Sequence, residues 1–175
     1  MRIISGYYKG RKIQPTGLPV RPTTDMAKEA LFNILNNLVD YEDSMVLDLF
    51  AGTGNISFEF LSRGSKSVIS VEHDLNCVRF IKNTAEKLEI DNISVLKMDV
   101  FKFISNGLGK YDIIFADPPY DEPRIAEIPT LVFDNGILAD NGILILEHPD
   151  TYHFESNIHF FDHRRYSRVN FSFFK

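Results

Sequence analysis

Short apolar runs alternate with amphipathic stretches across residues 46–147, and this alternation predicts repeated strand–helix units. Val46–Phe50, Val68–Glu72, Ile93–Lys97, Tyr111–Ala116 and Gly142–Glu147 read as strands, being brief and rich in β-branched or aromatic residues. Between them, Ile56–Arg63, Leu75–Leu88 and Val100–Ser105 read as helices. Gly64 stops the first, and Val78, Ile81, Ala85 and Leu88 form the inward face of the second. Arg124–Leu138 predicts a helix interrupted at Pro129. Upstream, Ala27, Leu31, Ile34, Leu35 and Leu38 give one apolar face to a helix that starts with Thr24 or Asp25 as N-cap and runs to about Val39. Residues 2–13 alternate and are broken by Gly6 and Gly10, which predicts a small hairpin. Pro15, Gly17, Pro19 and Pro22 make an irregular connector after it. At the other end, His159–Tyr166 and Arg168–Phe174 predict an antiparallel pair turning near Ser167.

Such βα repetition implies an α/β protein with a mostly parallel sheet, helices on both faces and right-handed crossovers. No repeat, low-complexity segment or linker divides the 175 residues, so one domain is expected, long enough to bury a sizeable core.

Composition narrows the class. With 44% hydrophobic and 25% charged residues the chain is ordinary globular protein. The first nine residues hold no apolar core of a signal peptide, and no apolar run approaches the ~18 residues of a membrane helix. Cys77 is the single cysteine, which excludes an internal disulfide and fits a half-buried helix position in a reducing compartment; a soluble, cytoplasmic protein is expected. Net charge is −5, but its distribution is uneven. Residues 1–24 carry Arg2, Lys9, Arg11, Lys12 and Arg21 with no acid, and the tail from His163 carries Arg164, Arg165, Arg168 and Lys175, again with none. A local phosphate-binding face is compatible with that asymmetry, as is a plain solvated terminus.

Four acids, Asp48, Glu72, Asp99 and Asp117, stand at or near the carboxyl ends of four successive predicted strands, the edge where open α/β sheets bind ligands. Asp48-Leu49-Phe50-Ala51-Gly52-Thr53-Gly54-Asn55 is a glycine-rich strand-to-helix turn whose glycines permit close approach and positive φ. Glu72 follows twenty residues after Gly52, where a carboxylate meets ribose hydroxyls. The run Gly52-Thr53-Gly54-Asn55-Ile56-Ser57 lacks the third glycine of a dinucleotide fingerprint, and the acids disfavour a pyrophosphate. A cationic ligand with an unphosphorylated ribose suits the charge better, which favours S-adenosylmethionine over NAD. Asp99 and the backbone of Val100 would then meet its adenine. Asp117-Pro118-Pro119-Tyr120 closes the fourth strand: a carboxylate, two rigid residues without N–H donors, and a ring for stacking. That set holds a flat molecule bearing an NH2 group; an ordinary Pro-Pro turn with a surface tyrosine is the plainer alternative. His73, His148, His153, His159 and His163 show no zinc spacing, and no metal is expected. The aromatic tail, Phe160 to Phe174, reads as sheet packing rather than a stacking platform for bases.

Asp-Leu-Phe-Ala-Gly-Thr-Gly followed by Asp-Pro-Pro-Tyr resembles the S-adenosylmethionine-dependent amino-methyltransferases. Met1-Arg2-Ile3-Ile4-Ser5-Gly6, Arg21-Pro22-Thr23-Thr24-Asp25 and Ser62-Arg63-Gly64 narrow the resemblance, over essentially the whole chain, to the RsmD family of bacterial 16S ribosomal RNA guanine-N2 methyltransferases. The resemblance implies a Rossmann-like class I methyltransferase fold: a seven-stranded, mostly parallel sheet with an antiparallel C-terminal strand pair and a small N-terminal β-hairpin. Residues 1–24 would be a basic extension for RNA contact and 25–175 the catalytic core. It further implies cofactor contacts from Asp48, Phe50, Ala51, Gly52, Thr53, Gly54, Glu72, His73, Asp99, Val100 and Thr23. Catalysis would fall to Asp117, Pro118, Pro119 and Tyr120, and RNA contact to Tyr8, Lys9, Arg11, Lys12 and Arg21. The product would be S-adenosylhomocysteine, the partner ribosomal RNA within the small subunit or its assembly intermediate, and the protein a monomer away from membranes. Ser57, Phe58 and Phe60 depart from the family pattern of glycine and small residues, which predicts altered helix packing. Open alternatives are an amino-methyltransferase acting on DNA adenine or another RNA base, a nucleotide-dependent oxidoreductase, and a non-catalytic ribosome-assembly factor.

Overall fold

A computed structural model describes residues 1–15, 18 and 25–175. The predicted N-cap Thr24, the connector residues Gly17, Pro19 and Pro22, and the site candidates Arg21 and Thr23 lie outside the described residues. Among those described, the elements run α1 (Asp25–Leu35), β1 (Met45–Leu49), α2 (Asn55–Ser62), β2 (Ser67–Glu72), α3 (Leu75–Lys87), β3 (Ile93–Lys97), α4 (Val100–Ser105), β4 (Tyr111–Ala116), a short 3-10 turn (Ile125–Glu127), α5 (Ile128–Asp134), β5 (Leu138–His148), β6 (Phe160–Tyr166) and β7 (Val169–Phe174). Seven strands pair in the order β3-β2-β1-β4-β5-β7-β6, the first five parallel and the last two antiparallel to their neighbours. This is the Rossmann-like sheet with an antiparallel C-terminal pair expected from the sequence.

Side-chain alternation along each strand splits the core in two. Val46, Val68, Ile113, Ile145 and Phe173 face α1, α2 and α3. Leu47, Val71, Ile114, Leu146 and Phe174 face α4 and α5. Burial of both faces explains why these strands read as near-continuous apolar runs.

Several elements begin or end one residue away from the sequence reading, and four differences are larger. Helix α1 stops at Leu35, and Leu38 reaches the core from a turn through its N–H to Leu35 O at 2.9 Å, so apolar spacing outlasted the helix. Pro129 occupies the first turn of α5, where its missing N–H costs nothing, instead of interrupting a longer helix. Strand β5 begins early, at Leu138, with an irregularity in its register and a left-handed Asn141 (φ 64°) just before Gly142. The predicted N-terminal hairpin reduces to a single antiparallel bridge, Arg2 with Lys12.

Backbone bonds from Ile3 N to Arg11 O (3.0 Å), Gly10 N to Ile3 O (2.9 Å) and Ile13 N to Met1 O (3.0 Å) hold the two arms of that segment together, and buried charge fastens them to the core. Lys28 and Glu59 are both 0% exposed and lie 3.1 Å apart. The Lys28 ammonium also donates to Arg2 O at 2.7 Å and Asn55 Oδ1 at 2.9 Å, using all three of its N–H groups. Glu59 in turn accepts from Ile4 N (2.9 Å), Ser5 N (3.1 Å) and Arg63 Nε (3.0 Å). Burial pulls the Lys28 pKa down and the nearby Glu59 charge opposes that pull. Gly6 (φ 82°) seats the next turn on the end of α2; a Cβ there would fall 1.6 Å from Ser62 O, so no other residue fits.

Removing one partner of a buried ion pair strands the other. Glu59→Ala is expected to lower the unfolding free energy by about 3–5 kcal/mol, read from urea midpoints; a loss below 1 kcal/mol would contradict this account of the network.

Candidate active site

Strand order reverses between β1 and β4, and a crevice opens there at the carboxyl rim of the sheet. Leu49 pairs with Ala116, and the amide of Asp117 donates to Leu49 O at 3.3 Å, so the end of β4 lies against the turn that follows β1. In that turn Phe50 (φ 61°), Gly52 (φ 54°) and Gly54 (φ 73°) all take left-handed backbone. Phe50 is the informative one, because a non-glycine residue there is strained and such strain concentrates at functional sites. Gly54 is needed for packing: a Cβ would come within 3.1 Å of Ile81 and Phe58. At Gly52 a Cβ would meet only Phe50 O, at 3.9 Å, which leaves an open cradle over the backbone.

Asp48 is buried beneath the loop. As N-cap of α2, Gly54 has no side chain to satisfy the first turn, so the strand supplies the acceptor. The Asp48 carboxylate accepts from Ser57 N at 3.1 Å and from Ser57 Oγ, which also lies 2.7 Å from Ser70 Oγ. Negative charge at a helix N-terminus is favourable, and Asp48 stitches β1 to α2 and, through Ser57, to β2. Burial, offset in part by the Ser57 bonds and reinforced by the Asp117 and Glu72 charges, pushes its pKa up to about 7. Ser57, a departure from the family pattern, is thus a structural partner of Asp48. Phe58 and Phe60 are fully buried, and Phe60 packs edge-on to Phe32 at 4.8 Å.

Glu72, nearly buried, spans two loops: Oε2 accepts from Gly52 N and Oε1 from Asp74 N, both at 2.8 Å, with exposed His73 Nδ1 3.1 Å from Oε1. Each oxygen keeps a further acceptor position beyond these bonds. Asp99 is exposed and caps α4 by accepting from Lys102 N at 2.9 Å; Val100 behind it is buried. Asp74, which sequence reading passed over, caps α3 in the same way. Among the four strand-end acids, then, Asp48 and Asp99 carry structural duties of their own.

Asp117 ends β4 half-buried in the crevice, and its pKa is raised to about 7 by burial. Pro118 is buried, Pro119 is exposed with its carbonyl accepting from Glu122 N at 2.9 Å, and Tyr120 is 43% exposed. The turn therefore offers acceptors and a ring at the rim, as its sequence predicted. Spacing gave no hint of a second feature. Arg124 lies with its guanidinium 3.4 Å from the centre of the Phe101 ring, and Phe101 packs edge-on to Phe50 at 6.0 Å, so a cation–aromatic stack walls the crevice beside Asp99. Ala51 and Thr53 are buried in the loop, the Thr53 hydroxyl donating to Met1 Sδ at 3.5 Å.

The basic N-terminal candidates are less uniform. Lys9, Arg11 and Lys12 are exposed, whereas Tyr8 is half-buried against the core. Tyr7 N and Tyr8 N bond Ser62 at the far end of α2, roughly 12 Å along that helix from Gly54. No helix among the described residues is long and apolar enough to cross a membrane, and no group of three His, Cys, Asp or Glu among them is arranged to hold a metal ion.

A Rossmann-like sheet, a strained glycine loop after β1 and acidic groups at the switch point define the class of S-adenosylmethionine-dependent methyltransferase folds. Over residues 1–175 the chain belongs to the family described as Conserved hypothetical protein 95, the RsmD family. It is 36% identical, across 84% of its length and 74% of the relative's, to ribosomal RNA small subunit methyltransferase D of Escherichia coli strain K12. The solved structure titled "Putative methyltransferase yhhF from Escherichia coli" superposes with a TM-score of 0.87 at 30% identity, covering 99% of this chain and 96% of that one. A SAM-dependent methyltransferase from Agrobacterium tumefaciens shares the fold at 19% identity and a TM-score of 0.65, over 85% of this chain and 61% of its own.

The raised carboxyls bear on pH. Between the unfolded carboxylate range near pH 4 and about pH 7, the native state holds protons that the unfolded chain has released, so these groups make stability fall as pH rises through that window. Asp48→Asn removes one contribution: its stability relative to wild type is expected to improve steadily from pH 4.5 to 7.5, measured by urea unfolding at each pH, and a constant difference would refute the raised pKa.

Proposed function

We propose that the protein methylates the exocyclic N2 amine of a guanine in 16S ribosomal RNA, using S-adenosylmethionine. The observation that carries this reading is the placement of Asp117 just after β4, its amide bonded to Leu49 O at the start of the turn that carries the open Gly52 cradle. The fit of the cofactor rests on the same geometry: a backbone cradle with room over it, acceptors from Glu72 and Asp99 around it, and an acidic lining suited to a cation. In this reading Glu72 takes the ribose hydroxyls on its free lone pairs, and Asp99 with the backbone of Val100 takes the adenine edge. Phe50, Ala51, Thr53, Gly54, His73 and Thr23 complete the cofactor's surroundings, while Asp48 acts from beneath by holding the loop. When bound, S-adenosylmethionine supplies an electrophilic methyl on its sulfonium and leaves as S-adenosylhomocysteine.

The chain's own contribution is positioning. A guanine N2 lone pair is drawn into the ring, so the amine is a weak nucleophile until held. Asp117 and a backbone carbonyl of the Pro118-Pro119 turn accept the two amine hydrogens and turn lone-pair density toward the methyl. The bound cofactor would give its methyl to N2, its sulfur keeping the electron pair, and Asp117 would take the proton that N2 releases. Alignment of this kind supplies up to ~7–11 kcal/mol, against ~1.5–3 kcal/mol for a charged hydrogen bond, so geometry dominates. Extruding the base costs a few kcal/mol, and stacking on Tyr120 returns ~1–3 kcal/mol. A base in an RNA loop, already unstacked, is the favoured target. Lys9, Arg11, Lys12 and Arg21 supply phosphate contacts, with Tyr8 supporting them. The partner in this proposal is the small ribosomal subunit or its assembly intermediate, met by a monomer in the cytoplasm.

Methylation of purified, unmodified small subunits, with the product nucleotide located by mass spectrometry, tests the reaction directly; methyl appearing only on DNA or protein would overturn it. Asp117→Ala is expected to lower kcat by about 10²–10³-fold while calorimetry shows S-adenosylhomocysteine binding nearly unchanged, and full turnover would remove Asp117 from the chemistry. Replacing Lys9, Arg11 and Lys12 together with glutamine should weaken RNA binding and reduce the slope of log affinity against log salt by about 2. Wild-type affinity at every salt concentration would rule out that contact.

A further inference from the structure

Sheet register places the tail's basic residues in relation to Asp117. Ala116 pairs with Leu146 on β5, so Asp117 is level with Glu147. Glu147 pairs with Phe171 on β7, and Phe171 with Arg164 on β6. Arg164 therefore lies on the same row as Asp117, three strand spacings away, roughly 14 Å. Beyond that row the β6–β7 hairpin continues past the carboxyl rim: Arg165 pairs with Asn170, Tyr166 with Val169, and Ser167 (φ 58°) and Arg168 form the tip. Lys175, by contrast, follows Phe174, which pairs with Leu144 in the middle of β5, so the chain there runs away from the carboxyl rim, and its ammonium rests over the Phe161 ring at 4.3 Å. The basic tail of the sequence is thus divided by the fold, with three arginines at the catalytic rim and one lysine turned away.

These three arginines are exposed. Arg164 pairs with Asp162 at 2.8 Å, and Arg165 approaches Asp150 only to 3.9 Å; both pairs are solvent-facing and so worth little. No ion pair involves Arg168 among the described residues. Antiparallel pairing ties the hairpin to β5 as far as Asn170, and β6–β7 pairing continues to Tyr166 and Val169, so the tip is carried on a paired ribbon.

Resting on the proposed RNA methylation, we infer that the β6–β7 hairpin tip is a second RNA-backbone contact, Arg165 and Arg168 taking phosphates of nucleotides adjoining the base held at Asp117. The occupant is single-stranded or loop RNA, because a strand whose base sits at Asp117 passes within reach of this hairpin, whose arginines are exposed and weakly paired. With Lys9, Arg11 and Lys12 on the N-terminal segment, the hairpin gives the RNA two separated anchors, which orients the strand in addition to attracting it.

The test uses the full chain, with unmodified small ribosomal subunits and a transcript of their RNA as probes. The double variant Arg165→Gln/Arg168→Gln is expected to raise the RNA KM on the order of tenfold and lower the salt slope by about 1.4, as two lost phosphate contacts on single-stranded RNA require. Binding of S-adenosylhomocysteine should hold. Lys175→Gln, at the other end of the same hairpin, should match wild type. If wild type binds either probe and the double variant binds it equally well, or Lys175→Gln weakens binding as much, the hairpin contact is wrong while the methylation proposal stands. Failure of wild type to bind either probe overturns the methylation proposal and the hairpin contact with it.

Discussion

The pairing of β1 with β4 is the constraint on which the molecule turns. These strands are separated by more than sixty residues of chain, yet they lie side by side because successive βα units wind first to one side of β1 and then to the other. Their adjacent ends leave a crevice with no strand above it, and the Asp117 amide closes onto Leu49 O there. Everything the site offers follows from that junction: a left-handed loop from one strand, an Asp-Pro-Pro-Tyr turn from the other, and the charges of Asp117 and Glu72 near enough to raise the proton affinity of buried Asp48. The same crowding that makes the crevice costly to charge makes it receptive to a cation.

That arrangement needs support from beneath, and the chain supplies it with polar groups in otherwise apolar layers. Asp48 performs for α2 the capping that Gly54 cannot, which frees glycine to hold the backbone open. Ser57 and Ser70 complete its hydrogen bonds, so a buried carboxyl is tolerated without a counter-ion. A few residues further along the same helix, Glu59 gathers Lys28, Arg63 and the amides of Ile4 and Ser5. One helix therefore fixes both the loop under the cofactor cradle and the amino-terminal segment proposed to meet RNA. Lys28, through Asn55 at the start of α2, bridges the two.

Much of this was legible in the residues themselves. Strand positions β3 and β4 and helix α4 match their predicted bounds, because each is a short run whose ends carry their own stop signals. The positive φ of Gly52 and Gly54 and the turn at Ser167 were likewise written locally. The differences lie where one signal serves two structures. Leu38 continued an apolar face after α1 had ended, and Pro129 was taken as a break when it begins a helix. Asp99, chosen as an adenine ligand, is a helix cap in the first instance, since the residue type that suits one role suits both.

Sequence by itself determined the α/β class, the strand-end acids, the glycine loop and the Asp-Pro-Pro-Tyr turn, since periodicity, turn chemistry and residue type act over a few neighbouring residues. Tertiary structure alone decided that Asp48 is a buried staple partnered by Ser57, that Arg124 stacks on Phe101 beside Phe50, and that Glu59 and Lys28 neutralise each other out of water. It also split the basic tail, sending Arg164, Arg165 and Arg168 to the carboxyl rim of the sheet and Lys175 away from it. Those outcomes depend on strand order and register, which are fixed by burying both faces of the sheet at once. No local window of the chain contains that requirement.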